Sequence, residues 1–186
     1  MTAPLRILPT ARPQITRDEV KRILALSAVT EVVALLGIRG YYRDTMGVSG
    51  ANDRGIYDDA IIVVSPTAFV TFNANTDPSV ARTGIAVLAP GVWFYTRGLH
   101  GITKEHPYPA LVQAKPVTVV RDGGKTETGY FGINIHRGSR TSTSSLGCQT
   151  LYPDQWDSFY GLVSGEMTRH NTPEIPYCLI DEAQRR

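Results

Sequence analysis

Residues 130–151 read YFGINIHRGSRTSTSSLGCQTL. Tyr130, Phe131, Ile133 and Ile135 are β-formers, so a strand is predicted over 129–136, ending on His136. A polar run of Gly, Ser, Thr and Arg follows, and Cys148 comes directly after Gly147. A thiol needs a base or a positive field to become a nucleophile at neutral pH, and histidine is the usual provider. Gly147 lets backbone approach a substrate, and the N–H groups of Gly147 and Cys148 suit an oxyanion hole. Arg137 and Arg140 add positive potential for substrate carboxylates. Free cysteines are more often small buried hydrophobes. Cys178 fits that description inside the apolar run Tyr177-Cys178-Leu179-Ile180, whereas Cys148 stands among polar residues.

Outward from this stretch, the chain is strand-rich upstream and helical at both ends. Short β-branched or aromatic runs at 60–65, 68–73, 84–88, 91–96 and 116–121 are bounded by turn residues and predict strands. Residues 98–115 hold His100, His106, Pro107 and Pro109 and read as a long irregular loop of the kind that often carries function. Downstream, Pro153 opens a helix to about Arg169, and Ile175–Ile180 reads as a last strand. At the other end, residues 1–15 read as an extended arm. Thr16 and Glu19 fit a capping box, and apolar residues at helical spacing predict a helix over 17–36 stopped by Gly37. Residues 40–59 are loop-like. The expected fold is α+β: a mostly antiparallel sheet or sandwich, an N-terminal helix, and a helix after Cys148. One unit, 16–186, is expected, with its β-rich core over about 57–186.

Composition removes several classes. With 42% hydrophobic and 19% charged residues, the 186-residue chain is no disordered polymer. A net charge of +2 is too balanced to argue for nucleic acid as a partner. Two cysteines exclude a disulfide-rich scaffold and a four-cysteine zinc site. Ser27, Thr30 and Glu31 interrupt the most apolar stretch, 23–38, so stable membrane insertion is not expected. No apolar segment with a small-residue cleavage site is read near Met1, so synthesis in the cytoplasm without a signal peptide is expected.

The pattern of His136, Gly138, Ser145, Gly147 and Cys148 resembles the catalytic motif of the L,D-transpeptidase (YkuD-type) family. A helix opened by Tyr152-Pro153-Asp154 adds to the likeness, which extends more loosely over residues 57–165. The resemblance implies a β-rich fold, His136 as base, Cys148 as nucleophile, no cofactor, and peptidoglycan stem peptides as substrate. The bond attacked would follow the L-centre of the third stem residue, before D-alanine. Leu146 stands where family members carry a second histidine, Arg137 intervenes between His136 and Gly138, and only twelve positions separate His136 from Cys148. These departures resemble a compact, bacteriophage lysin-like branch. They imply an L,D-peptidase that degrades the wall from the periplasmic side, as an endolysin or a virion-associated lysin.

Three alternatives accompany that expectation. The acyl-enzyme could pass to an amine, giving crosslinking or exchange. Leu146 supports a silent wall-binding or virion protein. A zinc site of His100, His106 and His136 would make a metal-dependent peptidase, but no H-E-x-x-H spacing supports it and no metal is expected. Substrate contacts are assigned to Arg137, Arg140, Ser145, His100 and Tyr42. Asp53, Asp58 and Asp59 are read as turn caps that meet Arg54 or Arg43.

Overall fold

The computed structural model describes residues 6–185, so the first five residues of the arm lie outside it. Helix α1 spans Arg17–Leu26. Strands β1 (Ala34–Arg39), β2 (Asp59–Val64), β3 (Phe69–Asn75), β4 (Ala86–Leu88) and β5 (Gly91–His100) follow. The chain continues through β6 (Tyr108–Gln113), β7 (Val117–Arg121), β8 (Thr126–Gly129), β9 (Ile135–Arg137) and β10 (Gln149–Leu151). Helix α2 (Pro153–Arg169) and β11 (Glu174–Asp181) complete it. The fold is α+β and mostly antiparallel, as the patterning suggests. Eight strands close in the order β1-β11-β5-β6-β9-β10-β3-β2, and β4, β7 and β8 form a separate three-stranded sheet. Among the described residues only β1 with β11 and β9 with β10 run parallel. Among the described residues no helix is long and apolar enough to cross a membrane.

Alternation along the strands builds two cores. Leu35, Ile61, Val63, Phe72, Tyr95, Ile135, Tyr177 and Leu179 face one cluster, shared with Trp156, Phe159 and Val163 of α2. Leu36, Ile38, Ala60, Ile62, Val64, Cys178 and Ile180 face the other, covered by Val20, Ile23 and Leu24 of α1. Cys178 is a buried packing residue, and both cysteines are free thiols.

The expected helix over 17–36 is corrected. It stops at Leu26, Ala28 turns the chain at φ 55°, and residues 34–39 are a strand. Val29, Thr30, Val32 and Val33 are β-branched and resist helix. β1 also lies between β2 and β11, so its backbone is paired on both sides. Gly37 is therefore no helix stop. It sits in mid-strand, where a Cβ would collide with the Tyr177 ring. Half of the expected capping box forms: Thr16 Oγ1 accepts from the Glu19 N–H at 3.2 Å, while the Glu19 carboxylate pairs with Arg185 at 2.5 Å.

Two other expectations change. Half of residues 98–115 is strand, because the ends of β5 and β6 pair from Tyr95↔Gln113 out to His100↔Tyr108, leaving a tip of 101–107. Of the strand expected over 129–136, only Gly129 at the end of β8 and Ile135 and His136 in β9 are strand; residues 130–134 between them are irregular, with Gly132 at φ 69°. Two of the aspartates cap turns, Asp53 accepting from the Val48 N–H and Asp58 from the Asp53 N–H, whereas buried Asp59 opens β2 and accepts from the Gly40 and Thr76 N–H groups just past β1 and β3. Arg54, however, pairs with Asp122 at 2.6 Å.

The described part of the arm is strapped down. Ile7 accepts from the Tyr57 N–H, and Ala11 accepts from the Tyr42 hydroxyl and the Asn73 amide. Because Tyr177 fills the space above Gly37, Gly37→Ala should destabilise the fold by about 1–3 kcal/mol, the usual cost of overpacking a core. Denaturant unfolding checks this, and an unchanged midpoint contradicts the packing described.

Candidate active site

Parallel pairing of β9 and β10 assembles the site. Gln149 lies opposite Ile135 and Thr150 opposite His136, so Cys148, entering β10, stands beside Asn134. Two hydrogen bonds fix that position: the Gln149 N–H donates to the Asn134 carbonyl at 2.9 Å, and the Asn134 N–H donates to Cys148 Sγ at 3.4 Å. His136 is two residues beyond Asn134 and so lies on the same face. The Cys148 thiol donates in turn to the Gly132 carbonyl at 3.4 Å.

β5 and β6 bring two further rings to this face. His100 stacks on His136 with centroids 3.8 Å apart and planes 16° apart. Donor atoms of His100, His136 and Cys148 all lie within 4.8 Å of one another. His136 Nδ1 lies 2.8 Å from the Arg137 carbonyl and 3.0 Å from the Tyr108 hydroxyl. A carbonyl only accepts, so Nδ1 carries the proton and Nε2 keeps the free lone pair of a base.

Burial sets the charge state. It pushes His136 down to about 4 from its ordinary 6.5, with neighbouring His100 reinforcing the shift. It pushes the Cys148 thiol up, opposed by the Asn134 N–H and by Lys104. At neutral pH the resting pair is a thiol and a neutral imidazole, not a thiolate–imidazolium pair. The cation whose field reaches all three side chains is Lys104, on the 101–107 tip.

Several expected roles move. The Gly147 N–H donates to Ser145 Oγ at 3.0 Å, so it is not free to hold an oxyanion, and the Cys148 N–H remains as the donor of that pair. Gly147 is needed for space: φ is 135°, and a Cβ would come within 2.5 Å of the Ala86 carbonyl oxygen. Ser145 is buried and braces the loop, donating to the Cys148 carbonyl at 2.6 Å, so it does not face substrate. Arg140 is held by Asp154 at 2.5 Å, at the first turn of α2. Tyr42 pins the arm rather than joining the cluster. Arg137 is exposed over the Tyr108 ring, where its guanidinium can meet a carboxylate. His106 is exposed beside Glu105, so the three-histidine metal site does not form.

Sequence reading missed Tyr108, Asn134 and Lys104. Only the strand pairing brings Tyr108 and Asn134 to the thiol. An apolar cleft of about 490 Å³, lined by Leu99, Ile102, Val112, Tyr130, Gly132 and Asn134 among others, adjoins the site through Gly132 and Asn134, whose backbones hydrogen-bond to Cys148 Sγ. No family model matches the chain, and neither a curated protein nor a solved structure does so.

A neutral resting pair has a direct chemical signature. The rate of Cys148 alkylation by iodoacetamide, followed by mass spectrometry, should rise with a midpoint above the ordinary thiol value of 9. Burial disfavours the thiolate, so the shift is upward. A midpoint below 7 would reveal a preformed ion pair and contradict this electrostatic account.

Proposed function

We propose that the protein is a cysteine-dependent acyl-transfer enzyme acting on peptidoglycan stem peptides, working as an L,D-peptidase that degrades the cell wall. The observation that carries this reading is the gathering of the Cys148 thiol and His136, with Nδ1 tied to a carbonyl and Nε2 left as base. The choice of substrate rests on the motif resemblance and on the site's surroundings. An uncharged cleft adjoins the site, with the exposed Arg137 on the strand that carries His136, which suits a short peptide bearing methyl groups and carboxylates.

In this reading His136 Nε2 takes the thiol proton as Sγ attacks the carbonyl carbon. The Cys148 N–H stabilises the oxyanion. Collapse breaks the peptide bond, and imidazolium His136 returns the proton to the leaving amine. The thioester then passes to water, with His136 again as base. A neutral pair suits this sequence, because the proton moves only as the new bond forms. The braced loop, tied through Tyr57, Ser79, Thr143 and Ser145, keeps Cys148 from drifting between the two steps.

Purified sacculi digested by wild type, Cys148→Ala and His136→Ala test the reading, with muropeptides read by mass spectrometry. Wild type should shorten stem peptides at the L,D bond. Cys148→Ala should release no product, and His136→Ala should be slower by about 10²–10⁴-fold, the usual worth of a general base. Full release by Cys148→Ala would overturn the proposal, and amine-linked products would move it to transpeptidation.

A further inference from the structure

General acyl transfer needs one histidine, yet two stand against the thiol. His100 and His136 present stacked rings, and donor atoms of both gather within 4.8 Å of one another and of Cys148 Sγ. We propose that His100, His136 and Cys148 form a binding site for a zinc-class divalent cation, and that the bound cation inhibits the enzyme. The inhibition rests on Cys148 being the nucleophile, whereas the binding does not.

Donor chemistry selects the ion. Two imidazoles and a thiol make a borderline-soft set that suits zinc or cobalt and disfavours magnesium or calcium, which take oxygen ligands. Tetrahedral zinc with bonds of about 2.0–2.3 Å holds its donors roughly 3.3–3.8 Å apart. The present spacing, up to 4.8 Å, needs a closure of about 1 Å or more, and the stacked His100 and His136 rings must splay so that their in-plane lone pairs converge on the ion. The surroundings already resemble the outer shell of a metal site. The ring nitrogen of His136 that would face away from the ion donates to the Arg137 carbonyl, the arrangement that orients histidine ligands. Asn134 Oδ1 accepts from the Gln113 N–H, so the Asn134 amide N–H donates to His100 Nδ1 at 3.2 Å, and His100 takes the ion through Nδ1 only by giving up that hydrogen bond.

Binding exchanges one proton for the ion: Sγ–H loses its proton to solvent and the thiolate takes the cation, with no change of oxidation state. The thiolate lone pair and the lone pair of His136 Nε2 are then committed together, so nucleophile and base are lost in one event. Among the described residues no carboxylate or third histidine joins the cluster to serve as base for a metal-bound water. The predicted effect of the ion is therefore inhibition rather than activation.

The test uses the full chain after chelator treatment, with zinc by calorimetry and cobalt(II) by absorption. One ion per chain is expected, with a thiolate-to-cobalt charge-transfer band that disappears in Cys148→Ser. His100→Ala should weaken zinc binding about 10-fold or more, with circular dichroism confirming that both variants are folded. Muropeptide release by wild type should fall in step with zinc occupancy and return on adding EDTA. Absence of stoichiometric binding, or a cobalt spectrum without the thiolate band, overturns the site while leaving the cysteine reading intact. Binding that raises activity overturns the inhibition and the cysteine reading together.

Discussion

Everything at the site depends on one short parallel pairing. β9 and β10 contribute three residues each, and they are joined by a loop of eleven, near the shortest span that can carry a chain back to a parallel neighbour. That return forces Cys148 to enter the sheet beside Asn134, two positions from His136. The same two strands close the barrel, since β6 meets β9 through a single register pair and β10 meets β3 through two. The wall that completes the fold is thus also the wall that carries the thiol.

So brief a pairing needs support from outside. The buried Tyr57 hydroxyl donates to the Ser139 carbonyl at 2.7 Å and accepts from the Ser139 N–H at 3.0 Å. Ser79 holds the far end, exchanging backbone and side-chain hydrogen bonds with Ser145 at 2.8 Å each. Beneath Cys148, Gln149 reaches both the Gly147 carbonyl and the Tyr177 hydroxyl, whose ring lies over Gly37. Packing around β1, far along the chain from residue 148, therefore reaches the site through one tyrosine. Electrostatics follow from the same burial, which favours the neutral forms of both the Cys148 thiol and the His136 ring.

Local chemistry made part of this legible. Pro153 at a helix start and the apolar spacing after it located α2 to the residue, and β-branched runs located β2, β3 and β7 within a residue or two. His136 and Cys148 stood out by their polar, glycine-bearing surroundings. What failed was whatever tertiary pairing decides. Leu35 and Leu36 continue the helical spacing begun at Val20, yet pairing with β2 and β11 on both sides places them in a strand. Tyr108 and Asn134 reach the thiol only through strand register, and His100 gains its place against His136 by the same means. Arg140 and Ser145 looked available because their own contacts, Asp154 and the backbone of the loop, were not visible in the sequence.

The central claim is that Cys148 forms a covalent bond with the acyl half of its substrate. The most direct measurement is acid quenching of wild type turning over a stem tetrapeptide, followed by intact mass and peptide mapping. The account predicts an adduct equal to the tetrapeptide less its terminal D-alanine, carried on Cys148 as a thioester. Turnover without any adduct on Cys148, persisting in Cys148→Ala, would contradict it.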